Sequence, residues 1–215
     1  MKKILLTSIL FFSLASAPSI AADSLDDSIK KLQESWTSAK YQSKDKSETI
    51  AKLEACAKEA EKVTENFPKK AEPIIWNGIC LATQGEYLKI SALPKVKEAK
   101  ILFEKALTID EKALHGAAYT NLGVLYHRVP GWPIGFGDVK KSEENFKSAV
   151  AIAPENMDVN YFYGLFLLDQ KRYDEAGKYL DLALKAPSRN RPLADSKRKE
   201  EIAAAIEKLN KKTGK

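Results

Sequence analysis

Histidine and cysteine are scarce in this chain, since its 215 residues include only two of each. His115 and His127 lie twelve residues apart with no acidic pair at metal-ligand spacing, so a metal site is not predicted. Cys56 and Cys80 do not form a Cys-x-x-Cys motif, which argues against dithiol redox chemistry. The sequence also lacks a nucleophile elbow, a zinc-protease motif and a phosphate-binding loop. These absences argue against an enzyme, and no cofactor is expected.

Strand signals and a strong charge imbalance are also missing. The sequence has no convincing alternating pattern or hairpin dipeptide. Its 35 basic and 29 acidic residues give a net charge of +6, or +4 once Lys2 and Lys3 are set aside. That excess is too mild to indicate nucleic-acid binding. Carboxylates mostly alternate with lysines at helical spacing, as at Glu54 and Lys58, which is typical of solvated helix faces.

The N-terminal residues have the pattern of a secretory signal peptide. Residues 1–3 are Met-Lys-Lys, residues 4–14 are apolar, and residues 17–22 are rich in small side chains, so cleavage is expected after Ala22. The alternative is a transmembrane anchor, but the apolar run is too short and lacks a basic stop. No cysteine stands at the cleavage region, so no lipid anchor is predicted. The mature chain is therefore expected to be soluble in the periplasm, or secreted.

A pattern of small and large apolar residues recurs three times. Each copy has a glycine in a first helix, then an alanine or serine and a large apolar residue in a second helix. Small residues let two antiparallel helices approach closely, and large residues fill the seam between them. The copies are built on Gly78 with Ala99, Phe103 and Ala106, on Gly123 with Ser142, Phe146 and Ala149, and on Gly164 with Ala176, Leu180 and Ala183.

These copies resemble the tetratricopeptide repeat, a helical hairpin of about 34 residues. The family's spacing of twelve residues between the glycine and the first alanine is met by Gly164 and Ala176. The earlier two copies have longer spacings, which indicate insertions in their hairpin connections. The resemblance covers residues 51–187 and implies a helical solenoid that serves as a protein-binding scaffold.

The chain is expected to be all-α, a tetratricopeptide-like α-solenoid of antiparallel helix pairs with a C-terminal capping helix. It divides into a signal peptide (1–22), an N-terminal helix and connection (23–50), the repeats (51–187), and the capping helix with a basic tail (188–215). Such a stack predicts a curved rod with a concave groove. Helices are predicted at 25–39, 48–67, 72–91, 95–109, 113–128, 139–152, 158–170, 173–186 and 195–211.

The two cysteines lie at equal distances from a predicted bend. Cys56 is twelve residues before Pro68, and Cys80 is twelve residues after it. In a helix pair that turns at Pro68, both would lie about 18 Å from the bend and at the same level. In an oxidising compartment this arrangement favours a disulfide that stabilises the fold by about 3 kcal/mol. The alternative is two separate buried thiols, because spacing does not fix the direction of either side chain.

The long hairpin insertion at residues 127–138 is the first candidate binding site. Its segment 130–137 holds two prolines, three glycines, Trp132 and Phe136, where the family has a tight turn. Prolines and glycines fix special backbone angles, so this loop is expected to be ordered. Trp132 and Phe136 offer a large contact area to a partner. The alternative is a hydrophobic lid in which both rings cover the helix ends.

The concave groove is the second candidate site, and the resemblance implies which residues line it. Residues Thr120, Val124, Tyr161 and Leu165 replace the lysine-asparagine clamp with which chaperone-binding relatives hold carboxylates. The groove would be fairly apolar, and it would suit an apolar peptide or a small amphipathic ligand held near Arg128, its main cation. The alternative is that these residues pack against the capping helix. The implied lining is Ile75, Ile79, Thr120, Val124, His127, Arg128, Tyr161, Leu165 and Asp169.

The segment after the last repeat carries Arg191, a candidate contact for an acidic partner or for the end of the preceding helix. Asp195 is predicted to be the N-cap of the capping helix. Residues 188–215 hold nine basic and four acidic residues. A solvated capping helix explains this excess most simply, and attraction to anionic lipid or to an acidic partner is the alternative.

Three features are similar to those of the periplasmic tetratricopeptide proteins that accompany TRAP transporters and pair with a substrate-binding protein. They are the long hairpin loops, the proline-rich insertion and the Arg-Pro-x-Ala-Asp sequence at 191–195. This resemblance implies a small organic or amphipathic ligand, although the chain departs from many such relatives in having no predicted lipid anchor. The alternative is an envelope assembly or secretion adaptor that captures a segment of a partner protein.

Overall fold

The computed structural model describes residues 24–214, and the predicted signal peptide lies outside the described residues. Within 24–214 the chain forms nine α-helices and one short 3-10 helix (Lys89–Ala92), with no β-strand, so the predicted all-α fold is confirmed. None of the helices in this range combines the length and apolar character needed to cross a bilayer. The α-helices are α1 (Leu25–Tyr41), α2 (Lys46–Asn66), α3 (Ala71–Leu88), α4 (Leu93–Ile109), α5 (Ala113–Arg128), α6 (Val139–Ile152), α7 (Met157–Asp169), α8 (Tyr173–Lys185) and α9 (Pro192–Thr213).

Four of these helices begin after a residue with a short polar side chain. Each is an N-cap whose side-chain oxygen accepts a backbone N–H of the first turn, which would otherwise have no partner. The four N-caps are Ser24 of α1, Asp45 of α2, Asp138 of α6 and Asn156 of α7.

The last helix begins earlier than predicted. Pro192 occupies its first turn, where the missing N–H of proline costs nothing. Asp195 lies inside the helix, and its carboxylate accepts hydrogen bonds from the backbone and side chain of Arg189 and from the Ser188 hydroxyl. The predicted N-cap role of Asp195 is therefore wrong, because an arginine ahead of the helix binds its carboxylate.

Glycines set the distance between paired helices. The packed pairs are α3 with α4, α5 with α6, and α7 with α8. In each pair the glycine of the first helix touches a large side chain of the second, so that an added Cβ would be closer than atoms can pack. The added Cβ would lie 2.6 Å from Phe103 at Gly78, 2.9 Å from Phe146 at Gly123 and 2.9 Å from Leu180 at Gly164.

A left-handed turn stands at the beginning of α5. Leu114, His115 and Gly116 have φ values of 49°, 60° and 72°. The side chains of Leu114 and His115 make this conformation unfavourable by about 1–2 kcal/mol per residue, whereas Gly116 adopts it freely. The regular part of α5 follows Gly116. The sequence prediction of a continuous helix from 113 missed this turn.

The two cysteines form a disulfide between α2 and α3, with their Cα atoms 6.0 Å apart, so the predicted pairing is confirmed. Both residues are fully buried in the core formed by the first helices. The bridge lies across the helix pair that turns near Pro68.

The inner helices form a closed ring. Helices α1, α3, α5, α7 and α9 contact one another in that order, and α9 returns to contact α1. At this junction Tyr41 donates a hydrogen bond to Glu201 at 3.3 Å, and Lys40 Nζ lies 3.8 Å from the same carboxylate oxygen. Helices α2, α4, α6 and α8 each pack outside two neighbouring members of the ring. The concave groove expected from the sequence is therefore enclosed.

Candidate functional site

The ring surrounds a cavity of about 1200 Å³. All five inner helices line it, together with the segments that follow α5, α6 and α8. This volume is ample for a small organic molecule, since ligand pockets usually span about 300–1,000 Å³. The main apolar side chains of the lining are Trp36, Trp76, Ile79, Val124 and Phe162.

Positive side chains outnumber negative ones in the cavity lining. Two further carboxylates, Asp195 and Glu201, bind Arg189 and Arg198 from behind the lining, so the charges around the cavity balance. The cations are Lys40, Arg128, Arg189, Arg191 and Arg198, and the anions are Glu86, Glu155 and Asp158. Arg128, which the sequence indicated as the main cation, is thus one of five.

Asp158 is the centre of an arginine cluster at the α7–α9 side of the cavity. Its carboxylate accepts a hydrogen bond from Arg198 Nε at 2.8 Å and another from Arg189, and Arg191 lies 3.8 Å away. Burial by itself would raise the pKa of Asp158, but the attraction of Arg198, Arg189 and Arg191 outweighs it and holds that pKa well below its ordinary value. Asp158 therefore stays ionised and neutralises part of the cluster.

Arg198 ties the cluster to the junction between α1 and α9. Its guanidinium also binds Glu201 and lies over the rings of Tyr161 and Phe162, at 4.7 and 4.8 Å from their centroids. The side chain is only 6% exposed. Two of its N–H groups bind carboxylates and its face packs on two rings, so Arg198 forms part of the wall of the cavity.

Lys40 has a loose ion pair and two ring contacts. Its closest carboxylate is that of Glu201, at 3.8 Å, and its ammonium lies over the rings of Trp36 and Tyr41 at 5.3 and 5.5 Å. Burial lowers the pKa of Lys40, and the neighbouring Arg198 lowers it further. An ammonium has three N–H donors, so Lys40 has unused donor capacity in a cavity-lining position.

Trp76 provides a second unused donor beside Lys40. Its indole is 4% exposed, and its Nε1 has no hydrogen-bond partner among the described residues. The neighbouring indole of Trp36, 6.2 Å away between centroids, donates instead to Thr83 at 2.9 Å. A buried donor without an acceptor costs about 1–3 kcal/mol. The Nε1 atom is sealed from solvent and does not face the cavity, so the unmade hydrogen bond is a local cost of packing this indole.

The 129–138 loop follows α5 at the rim of the cavity and is held by its own backbone. The N–H of Gly137 donates to Pro130 O at 3.0 Å, and the N–H of Asp138 donates to Tyr126 O at 2.9 Å. These hydrogen bonds return the chain to α6 beside the point where α5 ends. Backbone hydrogen bonds thus fix the path of the loop between α5 and α6.

The two aromatic residues of this loop have different environments. Phe136 packs edge-on against Tyr126 with a centroid distance of 5.8 Å, and it covers the end of α5 as the lid alternative expected. Trp132 is 90% exposed, and Ile134 is 70% exposed while also lining the cavity. The loop therefore combines a lid, formed by Phe136, with an apolar surface, formed by Trp132 and Ile134.

The predicted site residues fall into two groups in the structure. Ile75 is fully buried, Tyr161 lies beneath Arg198, and His127 packs on Phe166 with its Nε2 3.1 Å from Asp169. Leu165, Trp132 and Phe136 also lie outside the cavity lining. The predicted residues that do line the cavity are Ile79, Thr120, Val124, Arg128 and Arg191.

The charged residues Lys40 and Arg198 of the cavity wall were not predicted from the sequence, although the sequence contains one signal for them. The buried stripe of α9 runs through Ala194, Arg198, Ile202, Ala205 and Leu209, so a charged residue interrupts an apolar helix face. Such an interruption indicates a buried ion pair or a ligand contact. Lys40 follows Trp36 by one helical turn, but nothing local shows that α9 lies opposite.

Across residues 24–214, no three His, Cys, Asp or Glu side chains are grouped so as to hold a metal ion. The charged groups of the cavity are instead arranged as ion pairs around Asp158 and Glu201.

Part of the chain matches a known family model. Residues 134–199, from the end of the loop to the first turns of α9, match the family model of the tetratricopeptide repeat. The solved structures that resemble this one include a thermophilic tetratricopeptide-repeat protein of Thermus thermophilus. That protein is 14% identical, the comparison covers 85% of this chain and 99% of that one, and the TM-score is 0.39. No curated protein matches the sequence significantly. The fold is a tetratricopeptide-like α-solenoid.

Proposed function

We propose that this protein is a non-catalytic interaction scaffold of the periplasm, which binds a partner protein through the 129–138 loop and the adjoining rim of the cavity. The observation that carries the proposal is the exposure of Trp132 and Ile134 on an ordered loop. Because Ile134 also lines the cavity, the loop and the rim form one continuous surface.

Physical reasons favour this loop as a contact surface. Removing a large apolar side chain from water contributes about 1.5–3 kcal/mol, and tryptophan is among the residues that carry most binding energy at interfaces. The backbone hydrogen bonds of the loop are already formed, so binding would not bear the full entropic cost of ordering it. A partner that covered Trp132 and Ile134 would therefore gain affinity from the burial of these side chains and from the lower entropic cost of binding the loop.

The proposal of a periplasmic location has two supports. One is the secretory pattern of residues 1–22. The other is the Cys56–Cys80 disulfide, since such bridges persist in oxidising compartments. Secretion beyond the envelope is consistent with the same two observations.

Affinity capture from periplasmic extract tests the loop. The Trp132→Ala/Ile134→Ala variant is expected to lose the partner that the unchanged protein retains. The matched control is Leu182→Ala/Leu184→Ala, which removes two exposed leucines from α8. If the loop variant retains every partner, the loop is not the recognition surface. In a separate capture experiment, a photoreactive amino acid placed at position 132 cross-links the bound partner and so identifies it.

A second candidate is a component associated with a TRAP transporter, which helps a substrate-binding protein handle a small organic or amphipathic ligand. The cavity favours this candidate, because five helices line it and would remove part of a bound ligand from water. The identity of the captured partner distinguishes the two candidate functions. A transporter substrate-binding protein would support the second candidate, and an assembly or secretion component would support the adaptor.

A further inference from the structure

The first and last helices of the ring belong to different apolar cores. The buried Leu32 of α1 packs in a core formed by α1–α5, and the buried Ile202 of α9 packs in a second core formed by α6–α9. The two cores meet where Gly123 of α5 touches Phe146 of α6, which is the opposite side of the ring from α1 and α9. The contact between α1 and α9 is therefore made outside both cores.

This contact is polar and loose. Tyr41 donates a hydrogen bond to Glu201 at 3.3 Å, and Lys40 Nζ lies 3.8 Å from the same carboxylate oxygen, so both distances exceed the usual hydrogen-bond range. A cleft of about 890 Å³ lies between α1 and residues 189–194, at the start of α9. Polar groups can exchange such contacts for water, whereas separating an apolar contact would expose its surface.

Each side of the contact also has partners of its own. Glu201 is bound by Arg198, which lies on the same helix. Lys40 lies over the rings of Trp36 and Tyr41, which both belong to α1, at 5.3 and 5.5 Å from their centroids. These contacts persist when the two helices part. Separation therefore avoids the large penalty of leaving a charge alone.

We propose that Lys40, Tyr41 and Glu201 form a latch at which the ring opens and recloses. In the open form α1 leaves α9, while α9 stays packed on α8, and small rotations between successive helix pairs supply the movement. Opening gives access to the concave side for a partner segment too long to thread a closed ring. This inference goes beyond the proposed function and is independent of the exposed side chains of the 129–138 loop.

The latch should respond to salt. The side chains of Lys40 and Glu201 are 16% and 29% exposed, so dissolved ions reach this pair. The Debye length falls from about 30 Å in about 0.01 M salt to about 3 Å in about 1 M salt, which weakens the attraction between exposed charges. High salt is therefore expected to favour the open form.

Distance measurement by double electron–electron resonance tests the opening. Nitroxide labels at Ala51→Cys and Lys199→Cys, both exposed positions, report the distance between α2 and α9. Labels at Lys178→Cys and Lys199→Cys, on the packed helices α8 and α9, are the control. The native cysteines are bonded to each other, so only the introduced thiols react. The α2–α9 pair should show a short and a long distance, and the long fraction should rise about twofold or more between 0.01 and 1 M NaCl. The control pair should keep one distance.

Variants then assign the latch. Tyr41→Phe/Glu201→Gln removes its hydrogen bond and its charge, so the long fraction should rise about twofold or more at low salt and lose most of its salt dependence. Lys208→Gln is the matched control, because it removes an ion pair of α9 with Asp169 of α7 and leaves the α1 contact in place. It should not change the long fraction. The α8–α9 control distance shows that each variant is folded.

Three results would overturn the latch. A single α2–α9 distance in every sample, short or long, would show that the ring does not open and reclose. A second distance in the α8–α9 pair would show that α9 detaches as a whole. An equal response to Lys208→Gln would show that general loss of surface charge is the cause. None of these results affects partner capture by the loop, which the Trp132→Ala/Ile134→Ala variant tests separately.

Discussion

Three glycines decide how closely the paired helices of this protein can lie. At each of them the nearest large side chain occupies the space of a Cβ atom, with separations of 2.6 Å at Gly78 and 2.9 Å at Gly123 and Gly164. Atoms in a well-packed core cannot approach to such distances, so a larger residue forces the helices apart or forces a side chain out of its rotamer. The seam between two helices therefore depends on single residues.

Gly164→Ala is expected to destabilise the protein by up to about 2 kcal/mol. Overpacking against Leu180 costs about 1–3 kcal/mol and outweighs the gain of about 1 kcal/mol from the better helix propensity of alanine. Gly177→Ala in α8 is the matched control, because its added Cβ would meet Leu209 at an ordinary 3.4 Å. That change should stabilise by about 0.5–1 kcal/mol. Urea unfolding measures both, and equal effects would contradict the steric explanation.

Asp158 links the stability of the fold to pH. Burial opposes its ionisation, but Arg198, Arg189 and Arg191 hold its pKa below the ordinary value of about 4. A lowered folded-state pKa stabilises the protein above that ordinary value, and this contribution disappears as the pH falls through the folded-state pKa. Acid should therefore weaken the α7–α9 contact.

Asp158→Asn is expected to lower the free energy of unfolding by about 2–3 kcal/mol at neutral pH, because it leaves three arginines facing a neutral amide. The difference from the unchanged protein should shrink as the pH falls below about 4, because the unfolded chain then binds a proton at Asp158 that the folded protein does not bind. Urea unfolding at a series of pH values measures the difference. A difference that stays constant down to the most acidic sample would show that the carboxylate charge is not the cause.

At the scale of elements, local sequence signals predicted the helices well. Apolar residues at helical spacing act within a few positions, so they predict helices directly, whereas the N-caps Ser24 and Asp45 were found only in the structure. Two local features were missed. The left-handed turn at 114–116 has only Gly116 as a signal, and the start of α9 at Pro192 was missed because Asp195 has the composition of an N-cap but binds Arg189.

The disulfide is the covalent link between two elements, α2 and α3. It closes a loop with a sequence separation of 24 residues, which restricts the unfolded chain and stabilises the folded one by about 3 kcal/mol. Cys56→Ala/Cys80→Ala should lose about that much, as measured by urea unfolding. The unchanged protein, reduced before the same titration, is the control and should show a similar loss. A double variant as stable as the oxidised protein would mean that the bridge adds nothing.

At the scale of the whole molecule, the decisive feature is the contact between the first and last inner helices. Local patterns predict which helices pair, but closure depends on the sum of small rotations between successive pairs. Tyr41 and Glu201, which meet at this junction, are separated by 160 positions. The sequence therefore predicted several apolar residues of the concave surface, such as Ile79 and Val124, and missed Lys40 and Arg198, which become neighbours only on closure.

Closure also decides what can occupy the concave side. An open groove accepts an extended peptide of any length, whereas a ring admits a compact ligand or a short segment unless α9 leaves α1. The polar contacts of Lys40 and Tyr41 with Glu201 hold this junction. The choice between a peptide groove and a ligand cavity therefore depends on whether these two helices meet in solution.

Carbodiimide cross-linking, which joins a lysine amine directly to a neighbouring carboxylate, tests closure most directly. Lys40 and Glu201 are 3.8 Å apart between α1 and α9, and Lys208 and Asp169, 3.2 Å apart between α9 and α7, are the internal control. The closed ring predicts that peptide mapping of the monomeric product finds both links. Recovery of the Lys208–Asp169 link without the Lys40–Glu201 link would show that α1 and α9 stay apart, which would contradict the ring and the cavity it encloses.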